Sequence, residues 1–312
     1  MREIRVAALP HGLPRADDLA VAEVPIPVAG AGEVLVRNRY FTVFAALRTL
    51  LAGMSGPRAG DTLFGPALGE VVSAPSDSGL RAGDLVEHLL GWREYAVVPV
   101  GSCLPLDERL PDPLVHLAQG ATAYGALTRA VQVRPGETVF VSGGAGSLGS
   151  IAGQVARLLG AGRVVGSTGS PWKAERMLTE FGYDEVVPRG SAPEQVDVLF
   201  DTVGGDDLRA AIAAARPGAR FALVGALSGQ LSASGPGTTA PVEIDSFALV
   251  LKQIAVTGYS SMGDHAVRGE WLTRIAGRIH FPHERIGGIA AAPQAMQDVL
   301  AGRYAGTVII EV

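Results

Sequence analysis

Cysteine is the scarcest reactive residue in this chain of 312 amino acids, with Cys103 the only one. A single cysteine excludes an internal disulfide framework and fits a reducing compartment. It also excludes a zinc site built from several thiolates, and Cys103 has no identifiable basic partner that would make it a nucleophile. Charge is sparse too: Asp, Glu, Lys and Arg make up 18% of the residues, the net charge is −5, and no Lys/Arg-rich stretch occurs. A nucleic-acid partner is therefore not expected. No apolar run approaches the about 18 residues needed to span a bilayer. The first residues, Met1-Arg2-Glu3-Ile4-Arg5-Val6, lack the apolar core of a secretion signal. A cytoplasmic protein with no membrane partner is the expectation, and its N-terminus alternates like an exposed edge strand.

Core formers are plentiful, with hydrophobic residues at 47% alongside 41 Gly and 20 Pro. At about 100–200 residues per domain, the length suggests two domains, or one carrying a large insertion. Up to about residue 110 the chain reads as short strands broken by turn residues. Candidates are the stretches 33–40, 69–74, 84–90 and 95–100, a spacing typical of a barrel or sandwich. After Pro113 the texture changes. A helical stretch around Leu114 to Val131 leads into the apolar strand 137–142. Strand and helix patterns then alternate, with strands expected at 163–166, 185–187, 196–200, 220–224, 254–257 and 306–312. Near-continuous apolar strands separated by amphipathic helices indicate an α/β unit whose parallel sheet is covered on both faces. The segment 231–237, rich in Ser and Gly, reads as a mobile loop.

The strongest motif is Ser142-Gly143-Gly144-Ala145-Gly146-Ser147-Leu148-Gly149-Ser150. It places G-x-G-x-x-G at Gly144, Gly146 and Gly149, directly after a strand. The helix that follows carries Leu148, Ile151, Ala152, Val155 and Leu159 on one face. Glycines there permit a tight turn and close approach of the backbone to a pyrophosphate, while the helix N-terminus supplies N–H donors. The end of the next strand bears on which dinucleotide is bound. A binder of NAD places Asp or Glu there for the ribose hydroxyls. This chain has Gly166-Ser167-Thr168-Gly169-Ser170 and no acid before Glu175. Lys173 and Arg176 follow, and Arg189 comes after the third strand, as a ribose phosphate would want. NADPH is the expected cofactor.

Ala121-Thr122-Ala123-Tyr124, the glycine loop and Phe200-Asp201-Thr202-Val203-Gly204-Gly205 resemble the zinc-independent medium-chain dehydrogenase/reductases. Within them, Leu90-Gly91-Trp92-Arg93-Glu94-Tyr95 resembles the branch of NADPH-dependent alkenal double-bond reductases, which includes the prostaglandin and leukotriene reductases. The resemblance covers nearly the whole chain. It implies a Rossmann doubly wound domain inserted into a chaperonin-10-like (GroES-like) β-barrel catalytic domain. The expected boundaries are 1–115, 116–260 and 261–312, with the substrate in the cleft and a homodimer as the assembly. It further implies that Lys173 contacts the 2′-phosphate and that Arg189 replaces a family tyrosine there. Thr122, Tyr124, Ser147, Leu148, Ser167, Val203 and Gly225 are further cofactor-contact candidates. Tyr304 stands where relatives have a cofactor-contacting asparagine. Zinc-dependent relatives carry Gly-His-Glu where this chain has Leu68-Gly69-Glu70, so no metal is expected; His280 and His283 read as surface residues.

Departures from the family pattern point to an altered substrate. Relatives line the pocket with Asp-Pro-Tyr-Met-Arg, whereas this chain has Phe44-Ala45-Ala46-Leu47-Arg48, so Ala46 replaces the pocket tyrosine. Tyr40 and Phe44 are the other pocket candidates. The implied chemistry is hydride transfer to the β carbon of an activated C=C bond, which requires a stabiliser for the carbonyl oxygen and a proton donor for the α carbon. Relatives use a tyrosine in the loop after the last Rossmann strand, or the cofactor ribose hydroxyl. Here that loop, 258–265, offers Tyr259 and His265, and histidine suits acid–base work near neutral pH. A quinone, ketone or iminium acceptor, or NADPH binding without catalysis, are the alternatives.

Overall fold

Short apolar runs punctuated by Gly, Pro and Asp form the strands that their spacing predicts. The computed structural model describes every residue except 53–55, 234 and 236. Along the chain come β1 (Arg2–Val6), β2 (Leu19–Glu23), the long β3 (Glu33–Val43), a short helix α1 (Leu47–Leu51), β4 (Ala67–Ser73), β5 (Leu85–His88), β6 (Tyr95–Pro99) and β7 (Leu104–Pro105). β3 is the organising strand, pairing antiparallel with both β4 and β6. The N-terminal strand departs from the expectation of an exposed edge. β1 pairs with β2, while Glu3 and Arg5 bridge to Arg93 and Thr62. Ile4 and Val6 are thereby buried in the core with Phe41, Leu63 and Trp92.

The continuous helix expected from Leu114 to Val131 is broken in three. A 3-10 turn covers Pro113–Leu117, then α2 (Gly120–Gly125) runs into a π-helical turn at Ala126–Ala130. Strands and helices then alternate: β8 (Thr138–Val141), α3 (Ser147–Leu158), β9 (Arg163–Thr168), α4 (Pro171–Thr179), β10 (Glu185–Pro188), β11 (Val196–Asp201), α5 (Gly205–Ala214), β12 (Ala215–Leu223), α6 (Leu227–Gln230), α7 (Ser246–Lys252) and β13 (Ala255–Gly258). The six strands β8 to β13 form one parallel sheet in the order β10-β9-β8-β11-β12-β13. Strand β8 is buried along its whole length and apolar after Thr138, as befits a strand covered on both faces. It lies where the strand order reverses, which is the ligand-binding position of doubly wound sheets.

The chain then enters α8 (His265–Arg274), β14 (His283–Gly287), α9 (Ala292–Leu300) and β15 (Thr307–Glu311). β15 pairs antiparallel with β3 and parallel with β14, so the C-terminal strands complete the sheet of the N-terminal part. Two compact units result: Met1–Leu117, Ala233–Thr238 and His283–Val312 in the first, and Ala118–Ser232 with Thr239–Pro282 in the second. The return to the first unit is thus later than the expected residue 261. The cause is α8, which packs on α2: a Cβ on Gly120 would lie 1.9 Å from the Trp271 ring, and one on Gly125 would lie 3.1 Å from Val267. Of the loop expected at 231–237, residues 234 and 236 lie outside the described residues. The carbonyl of Gly235 accepts from buried Arg48 at 2.9 Å, within the first unit.

Candidate functional site

The glycine loop joins β8 to α3. Gly146 is the N-cap of α3 in extended geometry, and no side chain caps the helix. The uncapped first turn of α3 is the kind of helix N-terminus whose backbone suits an anion. The three motif glycines serve different ends. A Cβ on Gly149 would sit 2.5 Å from the Gly143 carbonyl oxygen and 2.7 Å from the Gly144 Cα. One on Gly144 would strike Met177 at 2.5 Å and Tyr183 at 2.9 Å. Gly146 alone has only Gly143 O, at 3.4 Å. Gly144 and Gly149 are thus demanded by the protein's own packing, whereas Gly146 leaves bare backbone at the helix N-terminus. That arrangement fits a pyrophosphate.

Tyr183 explains two further glycines. Its ring lies against Gly144, Gly153 and Gly166, and its hydroxyl donates to Gly149 O at 2.6 Å. Beneath the loop run two buried polar networks. Ser142 donates to Asp201 at 2.5 Å, and Asp201 in turn accepts the N–H groups of Val203 and Gly204. Ser167 donates to Asp207 at 2.5 Å and accepts from Gly143 N at 3.1 Å. Ser167, expected at the cofactor, therefore has its hydroxyl turned inward, and the partly exposed hydroxyls there belong to Thr168, the last residue of β9, and Ser170 just beyond it. Val203 packs against Gly143, where a Cβ would lie 3.0 Å from it, and a Cβ on Gly225 would meet Thr202 O at 2.8 Å. The strand-end loops carrying these candidates are brought together.

The cations sort themselves by their partners. Arg176 is bound to Glu180 one helical turn on, and lies over the Phe181 ring, so it is not directed to a ligand. Lys173 stands over Trp172, its pKa lowered by burial and by the charge of Arg189. Arg189 is exposed and lies beside the loop after β9, about where a Cβ on Gly169 would be 3.8 Å from its Nε. Two cations held close enough to repel, beside a loop without an acid, suit a phosphate dianion.

The candidate proton donors fare differently. Tyr259 has its hydroxyl buried and without a hydrogen-bond partner among the described residues, aimed at Gly125, where a Cβ would be 1.8 Å away. Burial and then Asp264 raise its pKa above the ordinary tyrosine value. The packing of α2 thus turns the Tyr259 hydroxyl toward Gly125. His265 is exposed at the first residue of α8. Tyr124 donates to Glu270 at 3.1 Å, which commits its hydroxyl to α8. Thr122 shares a 2.6 Å hydrogen bond with Ser261, a residue that sequence reasoning passed over. In the first unit, Tyr40 stacks under Arg285, Phe44 is half-buried against the core, and Ala46 is exposed. Tyr304 donates to Asp298 at 3.3 Å and packs on the same core.

Comparison with known proteins adds to this geometry. Two family models match, one described as the N-terminal domain of oxidoreductase over residues 2–106, the other as zinc-binding dehydrogenase over 147–276. The latter span holds His265 as its only histidine and no cysteine. Among the described residues no group of three His, Cys, Asp or Glu side chains is gathered for a metal, and no helix is long and apolar enough to cross a membrane. YfmJ of Bacillus subtilis (strain 168), which carries the name of an NADP-dependent oxidoreductase, is 30% identical over 100% of this chain and 97% of its own. The 2-alkenal reductase (NADP(+)-dependent) of Nicotiana tabacum is 26% identical, covering 96% and 94%. The crystal structure of CurA from Vibrio vulnificus in complex with NADPH superposes with a TM-score of 0.87 at 26% identity, covering 100% of this chain and 99% of the other.

Proposed function

The chain belongs to the zinc-independent medium-chain dehydrogenase/reductases and is an NADPH-dependent oxidoreductase; from that premise we propose that it reduces the activated C=C bond of α,β-unsaturated carbonyl compounds. The observation that carries the cofactor half of this reading is the bare Gly146 backbone at the start of α3 together with the Lys173–Arg189 pair. The acceptor half is supported by the names of the relatives, among them the tobacco 2-alkenal reductase. When bound, NADPH supplies the hydride.

The chain's own residues bind and orient. The N–H groups at the start of α3 hold the pyrophosphate, and Lys173 and Arg189 hold the 2′-phosphate. Protonation of the α carbon is assigned to His265, since the Tyr259 hydroxyl faces Gly125. The assembly in this reading is a homodimer. β13 is an edge strand of the parallel sheet with all four residues exposed, and α7 leaves Phe247, Val250 and Leu251 66–70% exposed. Monomeric surfaces rarely carry such apolar clusters, and an unpaired strand edge invites a second copy. Absorbance-followed NADPH oxidation against enals, enones and quinones, with NADH as control, tests the reading. Saturated carbonyl products from enals or enones are expected. Turnover of quinones alone would replace it with quinone reduction.

A further inference from the structure

Asp207 has no role in the reading above, yet it is a buried carboxylate with both oxygens engaged. It is 1% exposed, in the first turn of α5. Burial raises its pKa, while its bonds to Ser167 and Gly190 and the nearby charge of Arg189 pull the other way. A negative charge in the first turn is also favoured by the helix dipole.

Both of its oxygens are engaged, each toward a different loop of the nucleotide site. Oδ1 accepts the Ser167 hydroxyl proton, which frees the Ser167 oxygen to accept from Gly143 N. Oδ2 accepts from Gly190 N at 3.2 Å. Gly190 has a φ of +79°, a left-handed conformation that glycine adopts without strain, and it directly follows Arg189. A single carboxylate therefore ties the end of β9 to the loop after β10 and, through Ser167, to the glycine loop after β8. The side chain whose backbone it anchors is Arg189, the residue before Gly190.

We propose that Asp207 is the positioning residue for 2′-phosphate selectivity: it touches no cofactor atom but fixes the backbone that presents Arg189 beside the loop after β9. The inference rests on the reading of Lys173 and Arg189 as the 2′-phosphate cradle. A carboxylate accepts twice, whereas a carboxamide has one acceptor and one donor group. Asp207→Asn thus cannot accept from both the Ser167 hydroxyl and the Gly190 N–H through separate oxygens, so one of the two ties is lost or reversed.

The test is direct binding of NADPH and NADH to the full-length protein by calorimetry, with no substrate present. Asp207→Asn is expected to weaken NADPH about tenfold and NADH by less than about twofold, a selectivity loss typical of one misplaced charge-assisted contact. In an Arg189→Gln background the same substitution is expected to change the NADPH:NADH ratio by less than about twofold, because residues acting through one contact are not additive. Equal weakening of both cofactors, an unchanged ratio, or the full loss persisting without Arg189 would each overturn the inference. If Asp207→Asn does not fold, Ser167→Ala removes one of the two ties and is expected to lower the ratio about threefold; an unchanged ratio there overturns it equally. Wild-type protein without a preference for NADPH would overturn the cradle as well, whereas a wild-type preference that survives Asp207→Asn removes only the role of Asp207.

Discussion

The loops that follow β8 and β13 end two strands of one parallel sheet, and they were built by different means. The loop after β8 makes its site from backbone: glycines, a positive φ at Gly143 and the open end of α3. The loop after β13 offers side chains, and their value depends on where neighbouring helices turn them. Tyr259, the obvious acid in that loop, is pressed against Gly125. A backbone site is fixed by local spacing, whereas a side-chain site is fixed by whatever packs beside it, here α2 and α8.

Substitutions can break this contrast, beginning with the largest effect. Gly149→Ala places a Cβ 2.5 Å from a carbonyl oxygen in the loop's own backbone, where nothing flexible can yield. It is expected to lower NADPH affinity by about 100-fold and destabilise the free protein by on the order of 2–4 kcal/mol, measured by calorimetry and thermal unfolding. Gly146→Ala meets only ordinary contact at 3.4 Å. It should leave unfolding within about 1 kcal/mol of wild type yet weaken NADPH about tenfold, since its Cβ would crowd a pyrophosphate bound at the start of α3 as proposed. Equal unfolding penalties for the two glycines would erase the distinction between packing and ligand-facing positions.

In the loop after β13, His265→Gln is expected to lower kcat with an enal by roughly tenfold or more while leaving NADPH affinity unchanged, as loss of a general acid does. A parallel loss of NADPH affinity would assign His265 to binding instead. The smallest effect belongs to Tyr259→Phe. Removing a buried hydroxyl without a hydrogen-bond partner should leave kcat within about twofold and stability unchanged or raised by up to about 1 kcal/mol. A large fall in kcat would return Tyr259 to the chemistry.

Where the sequence was legible follows the same division. The glycine loop, the parallel strands and the missing acid after β9 are local patterns, readable because turn geometry and strand burial act over a few residues. The place of α8 was not, because Gly120 and Trp271 meet across 151 positions (271 − 120) and only the fold reveals that one makes room for the other. Nothing local to Ser167, a serine at a strand end, signals its partner, because Asp207 lies 40 residues on. For Arg176 the sequence does carry the signal of its pairing, Glu180 at i+4. The breaks in the helical stretch after Pro113 are not legible locally, since Gly120 and Gly125 weaken a helix without forbidding it.

The central claim is that hydride reaches the β carbon of an activated C=C bond. NADPH carrying deuterium at the transferable C4 position, turned over with an enal or enone, tests it most directly by mass spectrometry and NMR of the product. The account predicts a saturated carbonyl compound with one deuterium at the β carbon and a solvent-derived hydrogen at the α carbon. Deuterium on the carbonyl carbon of an allylic alcohol, or NADPH bound tightly with no deuterium transferred, would contradict it.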